Sequence, residues 1–191
     1  MEAVINPEQN SSSKIPTGKI LLWVGIASIV MLFAGLTSGF VVRKEEGNWL
    51  NYDLPMAFTV STILMVVSSL TMHLALRAAK MNQQAALKRY LIVTLALGIG
   101  FVFSQFIGWS NLVSQGVYLV GNPAGSFMYV LTGLHLAHLA GGIIALMITG
   151  GRALQEKYNS ENYLGVSLCG IYWHFLDGLW IYLFVFLALN H

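Results

Sequence analysis

Four titratable side chains fall inside apolar runs near the end of this chain, and their spacing is regular. His135 and His138 lie three residues apart in "FMYVLTGLHLAHLAGGI", with Thr132 three residues earlier. His174 and Asp177 repeat the same spacing in "GIYWHFLDGLWIYLFVFLALNH". Residues three apart on a helix share a face. Each pair therefore presents its polar groups in one direction. In hydrocarbon such groups are costly and turn toward a protein interior, so Thr132, His135, His138, His174 and Asp177 are expected to form one buried polar cluster.

Several chemistries use these residue types. Two histidines at this spacing can touch one metal ion, but no HExxH arrangement and no cysteine partner accompanies them. A b-type haem needs two histidines from facing helices, which His135 or His138 with His174 would supply. Ser38 in "GLTSG" has the glycine neighbours of an intramembrane protease nucleophile, although a small-residue packing patch accounts for it better. Nothing in the chain cradles phosphate or forms a basic groove for nucleic acid. The single cysteine, Cys169, excludes an internal disulfide.

These groups must be positioned by membrane helices. Of 191 residues, 56% are hydrophobic and 9% charged, and the mean hydropathy is +0.67. Soluble domains carry roughly 25% charged residues. Crossing a hydrocarbon core takes about 20 apolar residues. Five runs qualify, at about 19–42, 55–77, 90–112, 127–149 and 166–189. The expected fold is an all-α bundle of five transmembrane helices, a single membrane domain over 18–191 behind a polar tail at 1–17. Residues 1–16 contain no apolar stretch of the kind a cleavable signal needs.

Lys and Arg alternate between loops. Eight lie in the tail up to Lys19, in 77–89 and in 152–165, against Arg43 and Lys44 alone on the other side. The positive-inside rule then predicts a cytoplasmic N-terminus and a C-terminus on the outer, periplasmic side. Trp23, Trp49, Tyr52, Tyr90 and Trp109 fall near span ends, as in an aromatic belt. Inside span 2, Ser61, Thr62, Ser68, Ser69 and Thr71 read as close-packing residues that bond to the preceding turn, with His73 near the basic end. Gln105 in span 3 reads as interhelical glue.

Three stretches, "FTVSTILMVVSSLTMHLA", "LTGLHLAHLAGG" and "YWHFLDGLWIYLF", resemble subunit III of the haem-copper oxidases. The pattern Thr-Gly-x-His-x-x-His is met by Thr132, Gly133, His135 and His138. Tyr-Trp-His-Phe-x-Asp-x-x-Trp is met by Tyr172, Trp173, His174, Phe175, Asp177 and Trp180. The resemblance runs from about residue 18 onward and matches the short, five-helix bacterial form. It implies an accessory subunit of an aerobic respiratory oxidase in the bacterial cytoplasmic membrane. Such a subunit has no catalytic residue, haem or metal of its own, because haems and copper belong to partner subunits I and II. It packs directly on subunit I, binds structural phospholipid, and supports oxygen reduction coupled to proton translocation. Cytochrome c oxidase is the first expectation. Quinol oxidase and nitric oxide reductase accessory subunits share the five-span pattern, and a b-type haem electron carrier is the alternative from another class.

The chain departs from the family at two places. Ile29 follows Ser28 where the family commonly has a glutamate, and Gln105 is followed by Gly108 and Trp109 rather than by Glu-Tyr. Roles tied to those carboxylates do not transfer. Head groups of phospholipid are expected near Arg43, Arg77 or Lys80, with acyl chains against spans 1 to 3. At about 1.5 Å per residue, His138 and Asp177 come to similar depths near mid-membrane. Asp177 is therefore expected to hydrogen-bond His135 or His138 and to tie spans 4 and 5 together.

Overall fold

The computed structural model describes residues 17–190, so the polar tail apart from Thr17 lies outside the described residues. Five helices follow one another: α1 (Thr17–Glu45), α2 (Met56–Lys80), α3 (Gln84–Ser114), α4 (Pro123–Leu154) and α5 (Leu164–Asn190). Each overruns its apolar span at one or both ends, because backbone hydrogen bonding continues past the last apolar residue into the polar ends. All five are long and apolar enough to cross a membrane. The outward surface carries large apolar side chains such as Met31, Ile63, Phe103 and Leu189. Apolar exposure on every side is the surface of a multi-pass membrane protein.

The helix ends follow from local sequence. Asn122 caps α4 by accepting a 2.9 Å hydrogen bond from the Ala124 amide, and Pro123 occupies the first turn, where its missing N–H is no loss. Asn82, at φ 56°, takes the left-handed conformation that ends α2 and starts α3 after a minimal turn. So short a turn makes α2 and α3 antiparallel neighbours, and they share the most extensive interface in the molecule.

Helices α2, α3, α4 and α5 form a four-helix arrangement in which each touches the next, and α1 leans on α4 and α5. No Cα atom of α1 lies within 8 Å of one in α2, although the two helices are consecutive. The interior is aromatic and aliphatic: Trp173, Trp180, Phe33, Phe40, Phe58 and Phe101 are its largest fully buried side chains. Glycines set the close approaches. Gly98 lies against the Trp173 ring and Gly108 against Phe58, and a Cβ at either would come within 2.9 Å of the ring.

Candidate functional site

Polar side chains join the helices at several levels. Trp173 Nε1 donates to Ser68 Oγ at 2.8 Å, and Trp180 Nε1 donates to Thr62 Oγ1 at 3.0 Å. Both run from α5 to α2. Gln105 Nε2 donates to Ser61 Oγ at 3.0 Å, and the Thr71 and Thr94 hydroxyls lie 2.8 Å apart, both between α2 and α3. Trp109 Nε1 donates to Thr132 Oγ1 at 3.0 Å from α3 to α4, and Tyr182 Oη donates to Thr37 Oγ1 at 3.0 Å from α5 to α1. The span-2 hydroxyls also bond to their own preceding turn, Ser61 and Thr62 to the Phe58 carbonyl and Thr71 to that of Ser68. Sequence reading gave them only that local role and missed their work as acceptors for tryptophan. A signal existed: Trp173 and Trp180 lie two turns apart on α5, as do Ser61 and Ser68, and Thr62 and Ser69, on α2.

The five expected cluster residues do not come together. Thr132 is buried, gives its own proton to the Met128 carbonyl and receives Trp109. His135 is fully buried between aromatic rings, with its centroid 5.1 Å from Trp180 and 5.8 Å from Phe101. Neither of its ring nitrogens has a hydrogen-bond partner among the described residues. His138 turns toward α1, with Nδ1 2.7 Å from the carbonyl of Leu134 in its own helix and its ring 5.8 Å from Phe33. Its backbone carbonyl accepts from Tyr172 Oη at 3.2 Å.

His174 and Asp177 form a separate group with α2. Ser69 Oγ lies 2.7 Å from His174 Nδ1, and the same nitrogen is 4.0 Å from Asp177 Oδ2. The Ser69 hydroxyl also neighbours the Asp177 carboxyl, whose oxygens make no well-formed hydrogen bond among the described residues. The His73 ring centroid is 6.4 Å from that of His174. Asp177 is 3% exposed and faces the protein rather than lipid.

The expected bond from Asp177 to His135 or His138 is therefore absent. The antiparallel pairing of α4 with α5 sets His135 beside Trp180 and Gly142 beside Trp173. That register brings His138 level with Asp177. The direction around the helix axis differs: His138 turns to α1, while Asp177 shares the His174 face, which meets α2. Among the described residues, no three or more His, Cys, Asp or Glu side chains come together to hold a metal ion.

The residues expected near lipid head groups are dispersed. Arg43 is paired with Glu46 at 2.9 Å and borders a groove with Asn122 and Phe127. Arg77 is exposed, and Lys80 Nζ stands 5.8 Å from the Tyr163 ring centroid. A groove between α1, α4 and α5, lined by Leu22, Ile148, Thr149, Cys169 and Tyr172, continues past Gly165 and Leu168 to Arg152 and Lys157. At the two departures, Ile29 packs against the core and Trp109 serves Thr132.

Comparison with known proteins places this architecture. The family model for cytochrome c oxidase subunit III matches residues 50–189. A probable cytochrome c oxidase subunit 3 of Nocardia farcinica is 32% identical over 181 residues, covering 92% of this chain and 87% of that one. A protein of the same description from Mycobacterium tuberculosis is 30% identical with the same coverage. A probable quinol oxidase subunit 3 of Staphylococcus aureus is 29% identical over 175 residues, covering 87% and 85%. With most of its length matched by the family model, and relatives aligned nearly end to end, the chain belongs to the cytochrome c oxidase subunit III family, an accessory membrane subunit of the haem-copper oxidases.

Proposed function

We propose that this chain is a non-redox scaffold of a cytochrome c oxidase, with its N-terminus in the cytoplasm of a bacterium and its C-terminus on the outer side. It packs on subunit I, which with subunit II holds the haems and copper, and it holds phospholipid at its surface. Through these contacts it sustains oxygen reduction and the accompanying proton translocation. The observation that carries this reading is where the polar side chains of the spans are spent. Ser68, Thr62, Thr132 and Thr37 receive indole or phenol donors from neighbouring helices. His135 is sealed among rings and His138 bonds to its own helix. The hydroxyls fix helices to one another, and His135 and His138 turn to different neighbours.

Phospholipid fits the groove between α1, α4 and α5, where an apolar floor leads to Arg152 and Lys157. Acyl chains suit the floor, and a phosphate suits the two cations. Arg77 and Lys80, exposed at the basic end, and Arg43 at the other offer further head-group positions. Quinol as donor is the second reading, favoured by the Staphylococcus aureus relative. Purified oxidase carrying this subunit decides between them. Faster oxygen uptake with reduced cytochrome c than with a quinol supports the first reading, and the reverse supports the second.

A further inference from the structure

We propose that α1 is a hinged wall: its C-terminal half is clamped to the bundle, and its N-terminal half swings away from α4 and α5 to admit a phospholipid acyl chain into the groove between them. The swing rests on the packing of α1, and its occupant rests on the phospholipid reading of that groove.

The two halves of α1 are held by different kinds of contact. From Phe33 onward the helix is fastened. Phe33 is fully buried beside His138, with ring centroids 5.8 Å apart. Thr37 Oγ1 accepts the Tyr182 hydroxyl at 3.0 Å. The Phe40 ring sits in a cluster with Trp49, Phe127 and Phe186, at 4.7, 5.6 and 5.0 Å. Lys44 Nζ donates to the carbonyl of Asn190, the last residue of α5, at 2.8 Å.

On the other side of Phe33 these fastenings stop. Among the described residues, no hydrogen bond or ring contact joins residues 17–32 to another helix. The Ser28 hydroxyl donates to the Val24 carbonyl of its own helix at 3.0 Å. Ile26 is the one buried side chain of this half, Leu168 lies against Gly18, and Gly25 faces open space. No Cα atom of α1 lies within 8 Å of one in α2 or α3, so neither helix braces it from the side. A groove of 380 Å³ opens between Leu22 of α1, Ala145 and Ile148 of α4, and Cys169 and Tyr172 of α5.

In a bilayer this asymmetry decides which half can move. Acyl chains are as apolar as the contacts around Leu22 and Ile26, so exchanging helix for lipid there costs little. The Thr37–Tyr182 bond has no substitute in hydrocarbon, and the Phe40 cluster loses its ring packing if the helix withdraws. The pivot therefore lies near Phe33. From there to Thr17 the helix is about 24 Å long, so a tilt of about 10° carries its end about 4 Å, enough to widen the groove for one chain. The groove continues to Arg152 and Lys157, which suit the phosphate of the lipid so admitted.

The test uses the full-length subunit in phospholipid nanodiscs, with Cys169→Ser removing the native thiol. Nitroxides on Leu21→Cys and Ile148→Cys report the N-terminal half of α1 against α4. Nitroxides on Val42→Cys and Val130→Cys report the clamped half, and all four positions are exposed. Pulsed dipolar spectroscopy should give the first pair a distance distribution about twice as wide as the second. Ile26→Ala removes the buried contact of the free half. It should raise the long-distance population of the first pair about threefold and leave the second pair in place. An unchanged second pair shows that this variant keeps its fold. Equal widths for the two pairs overturn the proposal, as does a first-pair distribution that Ile26→Ala leaves unaltered. If the first pair is narrow while phospholipid co-purifies with the subunit, the hinge is wrong and the phospholipid reading stands. If the first pair is broad but no phospholipid co-purifies, the phospholipid reading falls and the proposed occupant with it.

Discussion

Ser69 Oγ stands 2.7 Å from His174 Nδ1, and this contact fastens the polar face of α5 to α2 rather than to α4. Asp177, three residues beyond His174, is carried to the same side, while His135 lies under the ring of Trp180. A double-mutant cycle on Ser69→Ala and His174→Ala, read by unfolding in detergent, should give a coupling of about 1 kcal/mol. The cycle on His135→Ala and Asp177→Asn should give a coupling within about 0.5 kcal/mol of zero. A larger coupling for the second pair than for the first would restore the α4–α5 bond that the structure lacks.

Glycine positions separate tight interfaces from open surface. A methyl group at Gly98 would approach the Trp173 ring to 2.9 Å, and that ring is held by Ser68. Gly98→Ala should therefore destabilise the subunit by about 1–3 kcal/mol, as overpacking does. Gly150→Ala meets nothing within 4 Å and should be neutral or stabilising, by up to about 1 kcal/mol. Thermal unfolding of the two variants side by side checks the ordering.

Tyr52, in the connection between α1 and α2, is 6% exposed, and burial pushes its phenol from 10.0 up to about 12. Raising the folded value above the unfolded one favours the protonated form in the folded state. The stabilisation is complete below pH 10 and disappears as pH rises from 10.0 through about 12. Tyr52→Phe should remove that part of the alkaline loss. Tyrosinate absorbance of the native subunit, set against the variant, should place the missing titration near the top of this window. Titration of Tyr52 at its ordinary value would contradict its burial.

The α5-to-α2 indole bonds are expected to count as single buried hydrogen bonds. Trp173→Phe deprives Ser68 of the indole and leaves a gap in the core, and Trp180→Phe does the same to Thr62. Each should cost about 2 kcal/mol or more, the bond and the lost ring volume together. Thr62→Val together with Trp180→Phe should cost less than the sum of the two single changes. Strict additivity would mean that the bond contributes nothing.

The five helices could be read from the chain because membrane insertion imposes a one-dimensional rule, that an apolar run must be long enough to span. The boundaries moved outward at Glu45, Lys80 and Leu154, where helical hydrogen bonds outlast the apolar stretch. Depth was legible as well, since rise per residue is fixed, and it put Asp177 level with His138. Direction around the axis was not. It depends on which neighbour each face meets, and nothing in the spacing of His135, His138, His174 and Asp177 distinguishes α4 from α2 as the neighbour of Asp177. The hydroxyls of α2 were visible, but their tryptophan donors lie more than a hundred residues away, and only the assembled bundle joins them.

The central claim is that this chain supports an oxidase without holding its redox centres. The most direct measurement is affinity isolation through a tag on this subunit from gently solubilised native membranes. The visible spectrum of the complex is then compared with that of the subunit expressed alone in haem-replete cells. The account predicts a larger haem-bearing subunit in the isolate, a Soret band for the complex and none for the subunit alone. A Soret band carried by the isolated subunit, or isolation of the subunit without any haem-bearing partner, would contradict it.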